Sequence, residues 1–297
     1  MHSGGSSTGR PAVLTARDDC GVRLVATDLD GTIVDRTGSI TPRTVQALAA
    51  CEAAGVGVVF VTGRPVRWMV GVAEATGHHG VAVCANGAVV YDLARESILE
   101  TRALAPARVL EIADRLRAAL PDAVFALETL AGHRREPAFM PHHEATRTAP
   151  TGSLTELLAV DPIVIKILCR VERAESGGRH VQHMLADELL AVARRVLAGI
   201  AEPVHSDPHG GLLEIAAAGV SKASTLELFA ARRGIEARDV VAFGDMPNDV
   251  PMLRWAGRSY AMADGHPEAV AAADDVAPPC EQDGVAQVLE RLLSELL

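Results

Sequence analysis

Short apolar runs that end in a polar turn and lead into an amphipathic helix recur along this chain, and this alternation most constrains its fold. The Val-rich runs at residues 22–27, 56–61 and 81–84 are separated by helix patterns at 41–55 and 65–77. Alternating strands and helices joined by short loops build right-handed βαβ units, whose strands are parallel. The sequence therefore predicts an α/β fold with a Rossmann-like parallel sheet covered by helices.

The same pattern returns near the C-terminus. Strand patterns at 212–215 and 240–243, with helix patterns at 221–234 and 284–297, resume the alternation. Two further short strands are predicted at 259–262 and around 276. The boundaries that follow are 1–20 for a flexible N-terminal tail, 21–90 and 208–297 for the sheet domain, and 91–207 for an inserted domain.

The inserted stretch has a different character, with looser segments rich in His, Arg and Pro. It contains helix patterns at 105–119, 153–160 and 181–200, and strand patterns at 123–128 and 162–170. This change of character favours a smaller α+β domain inserted into the first one.

Composition narrows the class of protein. The chain has 297 residues, of which 48% are hydrophobic and only 3% aromatic, so the core must be largely aliphatic. A net charge of −10 without any Lys/Arg-rich run argues against nucleic-acid binding. No apolar run reaches the roughly 18 residues of a membrane span, and no signal peptide is recognisable. We expect a cytoplasmic monomer or homodimer whose five scattered cysteines are mostly buried free thiols.

The first chemical motif is D-L-D-G-T at residues 28–32, directly after the first predicted strand. In an open parallel sheet, ligands bind beyond the carboxyl ends of the strands, where these side chains emerge. Carboxylates at Asp28 and Asp30 can approach one hard cation, and Gly31 permits the tight turn. Taken alone, the motif also fits a turn with capping aspartates.

Two further segments are suited to an anion. Thr62 and Gly63 lie at the end of the second predicted strand and lead into a helix, whose N-terminal N–H groups attract negative charge. Lys222 begins a predicted helix, where a cation opposes the helix dipole, so a bound anion would explain it better. An ordinary N-cap and a solvated lysine remain the alternatives for these two segments.

The fourth segment is G-D-M-P-N-D at residues 244–249, again after an apolar strand. Asp245, Asn248 and Asp249 fall within five residues, a density suited to Mg²⁺, although capping could also explain them. All four segments lie at predicted strand ends or helix starts of one sheet. A shared chemical site therefore explains them better than four separate capping roles.

Taken in order, these motifs resemble those of the haloacid dehalogenase (HAD) superfamily of phosphohydrolases, in its Cof-type subgroup. D-L-D-G-T, V-T-G-R, G-V-S-K around Lys222 and G-D-M-P-N-D match the four family motifs. N-G-A at 86–88 and L-E-I at 213–215, on either side of the inserted stretch, match as well. The resemblance implies the HAD fold, a Rossmann-like core with an inserted α+β cap domain, and phosphate-ester hydrolysis. One departure is Asp264, where many relatives carry Asn.

The resemblance also implies a role for each motif residue. Asp28 would be the nucleophile that attacks phosphorus, and Asp30 the general acid and base. Mg²⁺ would be obligatory, because an anionic nucleophile and a phosphate dianion otherwise repel each other. The metal ligands would be Asp28, the backbone carbonyl of Asp30, Asp245 and, in the outer shell or through water, Asp249. Thr62, Gly63, Lys222 and Asn248 would bind the phosphoryl group or orient the network around it.

The histidines carry weaker patterns. His180 with His183, and His205 with His209, have spacings found in metal sites. Neither pair has a Cys or acidic partner in a recognised zinc arrangement, so we interpret these histidines as surface residues.

We hypothesise a Mg²⁺-dependent phosphatase that hydrolyses a small phosphorylated metabolite, a sugar phosphate or a cofactor-precursor phosphate, through an aspartyl-phosphate. A cap closing over an anionic substrate could use the cations at 133–135 and 142–143, although a solvated loop is favoured there. One alternative is a phosphomutase or a sugar-phosphate phosphatase of a related cap type. A phospho-acceptor signalling domain fits less well, because receiver domains carry the phosphorylated Asp after the third strand and lack an inserted domain.

Overall fold

The strands among the described residues form two separate sheets, and the chain passes from the first sheet to the second and back. This computed structural model describes residues 21–140, 146–174, 181–207 and 211–296. The tail predicted at 1–20 lies outside these ranges. Within them, no helix has the length and apolar character needed to span a membrane.

The first sheet has eight strands and is parallel over most of its width. Its strands are β1 (Leu24–Thr27), β2 (Gly57–Val61), β3 (Val81–Cys84), β4 (Val89–Asp92), β5 (Ser97–Thr101), β12 (Val240–Gly244), β13 (Arg258–Met262) and β14 (Asp275–Ala277). Their order is β14-β13-β12-β1-β2-β3-β4-β5, with neighbours parallel from β14 to β3 and antiparallel from β3 to β5. The predicted parallel α/β sheet is confirmed.

Helices cover both faces of this sheet. One face packs on α1 (Pro42–Ala53), α2 (Met69–Thr76) and α9 (Gly284–Leu296), and the other on α6 (Lys222–Ala231), α7 (Val250–Trp255) and α8 (Pro267–Ala272). The α1 helix begins as predicted, since the Thr41 hydroxyl accepts a hydrogen bond from the N–H of Thr44. Cys51, Cys84, Cys169 and Cys280 are buried and free, and Cys20 lies outside the described residues.

The second sheet is antiparallel and belongs to the inserted cap. Its strands are β6 (Ala123–Thr129), β7 (Gly132–Arg135), β8 (Val164–Ala174), β10 (Ala201–Val204) and β11 (Leu213–Ala217), with β9 (Val181–His183) paired to the far end of β8. The helices α3 (Pro106–Ala119), α4 (Leu154–Val160) and α5 (Ala186–Val196) pack against one face of it. The other face is turned toward the first sheet. Side chains of β6, β8 and β11 there line a cavity together with residues of the first sheet's domain.

The chain crosses between the sheets later than the sequence pattern predicted. β4 and β5 extend the first sheet to Thr101, and β11 pairs antiparallel with β8 and β10. The predicted boundaries at residues 91 and 207 are therefore wrong, and the strand predicted at 212–215 lies in the cap sheet. A short apolar run has the same pattern in either kind of sheet, so periodicity alone could not assign it.

Two predicted helices are also shorter than expected. The pattern at 181–200 divides into β9 and α5, and the pattern at 65–77 begins with a 3₁₀ turn before α2. The predicted helices at 105–119 and 153–160 are confirmed within one residue at each end, as α3 and α4.

Candidate active site

Three of the four motif segments leave neighbouring parallel strands at one edge of the first sheet. Asp28 follows β1, Thr62 follows β2 and Asp245 follows β12, with β1 between the other two strands. Parallel strands end at the same edge, which brings these residues toward one point. Lys222 joins them as the first residue of α6, which packs on this sheet.

Lys222 lies at the centre of a buried charge cluster. Its Nζ donates to Oδ1 of Asp28 at 2.7 Å and to Oδ1 of Asp249 at 2.6 Å. Only 1% of Lys222 is exposed. Burial alone would lower the pKa of Lys222, but the charges of Asp249 and Asp28 outweigh it and raise the pKa above its usual range. The lysine is therefore charged and fixes the orientation of Asp28.

Asp28, Asp245 and Asp249 offer carboxylate oxygens that all lie within 4.8 Å of one another. Burial raises the pKa of Asp28 to about 7, although the charge of Lys222 opposes this. Burial, followed by the charge of Asp28, raises the pKa of Asp245 well above its usual range. The single positive charge of Lys222 therefore does not balance the negative charges of the three carboxylates. A divalent cation, which prefers such oxygen donors, would supply it.

The loop after β12 holds its own carboxylates in place. Oδ2 of Asp249 accepts hydrogen bonds from the backbone N–H groups of Asp245 at 3.1 Å and Met246 at 3.0 Å. The hydroxyl of Thr32 donates to Oδ1 of Asp245 at 3.3 Å. Gly31 adopts a φ of +79°, and a Cβ on this residue would collide with the Asp245 carboxylate. The D-L-D-G-T turn therefore depends on glycine at this position.

Asp30 is oriented differently from the other motif acids. Its carboxylate accepts two hydrogen bonds from the guanidinium of Arg64, one of them 2.8 Å long, and 59% of its side chain is exposed. The side chain lines the cavity beside Asp28 but stands outside the three-carboxylate cluster. This position suits a group that exchanges protons with solvent.

The remaining predicted residues border the same site. The Thr62 hydroxyl is buried and accepts a hydrogen bond from the N–H of Arg64 at 3.0 Å. Gly63 and Asn248 line the cavity. Nδ2 of Asn248 donates to Oδ1 of Asn86 at 3.1 Å, whereas Oδ1 of Asn248 is buried with no hydrogen-bond partner among the described residues. That oxygen can accept from a bound molecule or from water.

A cavity of about 410 Å³ opens above these residues, between the end of the first sheet and the face of the cap sheet. Its floor includes Asp28, Gly63 and Asn248. Its cap wall combines charged and apolar side chains. Those on the cap strands or beside them are Glu128, His133, Phe139, Lys166, Leu168, Arg170, Leu212 and Glu214.

Sequence reasoning missed most of this wall. Lys166, Leu168 and Arg170 line the cavity at every second position of β8, and Glu214 does so from β11. The available signal was the presence of Lys166 and Arg170 on one face of the largely apolar run at residues 163–171. Polar residues on a single face of a strand indicate that this face meets something other than core.

The cationic residues at 133–135, predicted from sequence as possible substrate contacts, occupy different surroundings in the cap. Nδ1 of His133 lies 2.7 Å from Oε1 of Glu128 in the cavity wall. Arg134 pairs with Asp161 at 3.4 Å, and the guanidinium of Arg135 donates to the carbonyl of Phe139. Only the first of the three lines the cavity. The pair at 142–143 lies outside the described residues.

The interpretation of His205 as a surface residue is wrong. His205 is fully buried, and its Nε2 lies 2.8 Å from Oδ1 of Asp187, with Nε2 of His266 3.7 Å from the same oxygen. Nδ1 of His266 accepts a hydrogen bond from the N–H of Glu268, so Nε2 is the ring nitrogen that faces Asp187. His180 and His209 lie outside the described residues, which leaves both predicted pairs incomplete.

Asp264, the departure from the family pattern, lies apart from the cavity. Its carboxylate is 3.6 Å from the guanidinium of Arg36, which is itself 82% exposed. The substitution therefore changes a surface ion pair and leaves the four motif segments as they are.

A profile of the haloacid dehalogenase-like hydrolases matches residues 25–289. The chain belongs to this family. The match confirms the resemblance drawn from the four motifs, and with it the predicted α/β fold with an inserted cap. It also confirms that this protein is an enzyme, a hydrolase of the haloacid dehalogenase type.

Named phosphatases align with most of the chain. It is 26% identical to the pyridoxal phosphate phosphatase YbhA of Escherichia coli over 280 residues, which cover 90% of this chain and 97% of that protein. It is 28% identical to the HMP-PP phosphatase of Yersinia pseudotuberculosis over 281 residues, which cover 92% of this chain and 96% of that protein. A solved HAD superfamily phosphatase from Bacteroides thetaiotaomicron has the same fold, with a TM-score of 0.74, 21% identity and coverage of 97% and 99%.

Proposed function

We propose that this hydrolase is a Mg²⁺-dependent phosphatase that acts on a small phosphorylated metabolite through an aspartyl-phosphate on Asp28. One observation carries the proposal. Asp28 lies on the floor of a cavity walled by the cap. Its carboxylate is clustered with those of Asp245 and Asp249 and accepts a hydrogen bond from the buried ammonium of Lys222. Such a site combines a nucleophile, a cation site and a counter-charge for phosphate.

The donor set fits a magnesium ion. Asp28, the carbonyl of Asp30 and Asp245 would hold it, with Asp249 in the outer shell or bound through water. Mg²⁺ takes a few carboxylate oxygens and completes its shell with water and phosphate. When bound, it would neutralise the charge of the carboxylates and of the phosphoryl oxygens. The raised pKa values of Asp28 and Asp245 agree with a site that lacks such a charge.

Asp28 performs the first chemical step in this proposal. Its carboxylate attacks phosphorus while the ester oxygen leaves with a proton from Asp30, forming the aspartyl-phosphate and a free alcohol. Asp30 then accepts a proton from the water that cleaves the acyl phosphate, releasing inorganic phosphate and restoring Asp28. Asp30 reaches the cavity from the exposed side, but it must first separate from Arg64.

Charge neutralisation and positioning account for much of the expected rate. Lys222 holds Asp28 in one orientation and would compensate the negative phosphoryl oxygens. Thr62 and Gly63 would bind those oxygens at the end of β2. The second N–H of the Asn248 amide would donate to a phosphoryl oxygen, and Oδ1 of Asn248, which has no partner among the described residues, would accept from ordered water.

The size and enclosure of the cavity support a small substrate. A volume of about 410 Å³ accommodates a metabolite and excludes a folded protein. The relatives named above act on pyridoxal phosphate and HMP-PP, both small phosphorylated molecules. We therefore place the substrate among phosphorylated metabolites of this size.

Release of inorganic phosphate from a panel of phosphorylated metabolites, measured with Mg²⁺, tests this function. We expect turnover that EDTA abolishes and that added Mg²⁺ restores. Asp28→Asn should reduce kcat by at least about 10³-fold while the fold is retained in circular dichroism. Normal turnover by this variant would refute the mechanism. An isomerised product with little free phosphate would indicate a phosphomutase, and a long-lived phosphoprotein a signalling domain.

A further inference from the structure

Two sequence motifs that the mechanism leaves unused meet in the structure. Asn86 of N-G-A precedes the cap, and Glu214 of L-E-I follows it. Nδ2 of Asn86 donates to Oε2 of Glu214, and Oδ1 of Asn86 accepts from Asn248 at 3.1 Å. A cap carboxylate thus reaches a phosphate-site amide through one intervening side chain.

Lys166 makes a second connection of this kind. From β8 of the cap sheet, its Nζ donates to the carbonyl oxygen of Gly63 at 2.9 Å and lies 3.2 Å from Oε1 of Glu214. Lys166 is 4% exposed and Glu214 is 7% exposed. The cap therefore places a buried ion pair against Gly63 on one side and against Asn86 on the other.

A buried ion pair is often no more stabilising than well-packed apolar groups, because removing two charges from water costs free energy. The presence of Lys166 and Glu214 here therefore suggests a role other than stability. Holding the cap closed is not a sufficient reason, because another pair already does this. Arg67 of the first sheet's domain donates two hydrogen bonds to Glu128 of β6, at 2.5 and 3.1 Å. That pair makes no described hydrogen bond to Asp28, Gly63 or Asn248.

We propose that Lys166 and Glu214 are positioning residues, which set Gly63 and Asn248 for the phosphoryl group when the cap is closed. This inference rests on the proposed function. Lys166 fixes the carbonyl of the loop that carries Thr62 and Gly63. Glu214 holds Asn86, which accepts one N–H of Nδ2 of Asn248 and leaves the second N–H of this amide to donate to a phosphoryl oxygen. Closure of the cap then completes the phosphate site as well as covering it.

A neutral, nearly isosteric double variant tests the proposal. Lys166→Met with Glu214→Gln removes both charges together, so that neither is left buried without a partner. We expect kcat to fall about 10-fold or more, because a small displacement of phosphate-binding groups is costly. The inhibition constant of inorganic phosphate should rise by a similar factor. The thermal shift caused by Mg²⁺ should stay as in the wild type, because no metal ligand is altered.

The matched control neutralises an ion pair that joins the cap to the first sheet's domain, as Arg67→Met with Glu128→Gln. Its effect should fall mainly on KM, since it weakens closure and leaves Gly63 and Asn248 in place. Equal losses of kcat in the two double variants, or an unchanged kcat and phosphate inhibition in the first, would overturn the proposal.

The wild-type protein separates this inference from the proposed function. If it releases no phosphate from any metabolite, the proposed function fails. Calorimetric binding of inorganic phosphate with Mg²⁺ then still tests the positioning role. Weaker binding by the Lys166 and Glu214 double variant than by the Arg67 and Glu128 double variant supports it, and equal binding refutes it.

Discussion

The ammonium of Lys222 lies 2.7 Å from Oδ1 of Asp28, and both residues are almost fully buried. A cation at the start of a helix opposes the helix dipole, which suggested from sequence that an anion must lie nearby. Two anions do, since Asp249 contacts the same ammonium at 2.6 Å. The lysine therefore has its negative partners before any phosphate arrives, and it offsets part of their mutual repulsion.

Replacing Lys222 with Met should destabilise the protein and remove its activity. The variant leaves Asp28, Asp245 and Asp249 close together without the buried ammonium that contacts two of them. We expect a loss of about 3 kcal/mol in unfolding free energy without metal, and recovery of much of it in Mg²⁺. Denaturant unfolding with and without Mg²⁺ measures both effects. Arg36→Met, which removes an exposed cation, is the control. A variant as stable as the wild type in EDTA would contradict the prediction.

Gly31→Ala should damage the metal site more than the fold. Both Gly31 and Gly38 have a positive φ, of +79° and +83°, so alanine strains either position by roughly 1–2 kcal/mol. A new Cβ at Gly31 would collide with Asp245, whereas no atom of the described residues lies within 4 Å of a Cβ at Gly38.

We therefore expect similar melting temperatures for Gly31→Ala and Gly38→Ala in EDTA. The Mg²⁺-induced rise in melting temperature and the activity should fall in Gly31→Ala alone, the activity by about 10-fold or more. Equal losses in the two variants would show that strain, and not the contact with Asp245, is responsible.

The floor of the site could be predicted from sequence because it depends on short segments of the chain. Each of Asp28, Thr62 and Asp245 follows an apolar strand by one residue, and parallel strands end at one edge. Those two facts bring the side chains together without knowledge of any long-range contact. The orientation of Asp30 toward Arg64 could not be predicted in this way, because it depends on side chains of separate loops.

The cap wall could not be predicted in this way, because it depends on contacts between distant parts of the chain. A short apolar strand pattern does not identify the strands with which it pairs, so the sequence predicts the wrong sheet for β11 and therefore for Glu214. Its neighbours are set by pairing with β8, which lies more than forty positions earlier in the chain. Lys166 could have been noticed as a charge in an apolar strand, but its contact with Gly63 depends on how the two domains meet.

Because of the ion pair between Arg67 and Glu128, the unfolding free energy of the protein should depend on pH. Burial alone would raise the pKa of Glu128, but hydrogen bonds from His133 and Arg67 lower it to about 2, against an ordinary value of 4.5. The unfolded chain binds this proton more readily, so the stabilisation is complete above about pH 4.5 and is lost as the pH falls toward 2. The full effect corresponds to roughly 3 kcal/mol.

We expect the difference in unfolding free energy between the wild type and Glu128→Gln to shrink by about 2 kcal/mol from pH 6 to pH 3. Urea denaturation at a series of pH values measures it, and other carboxylates titrate in both proteins and cancel. Glu111→Gln is the control, because Glu111 pairs with Arg108 and Arg115 on the exposed face of α3, where ion pairs contribute little. Its difference from the wild type should stay nearly constant. If the difference between the wild type and Glu128→Gln also stays constant with pH, the contacts of Glu128 with Arg67 and His133 do not stabilise the folded protein.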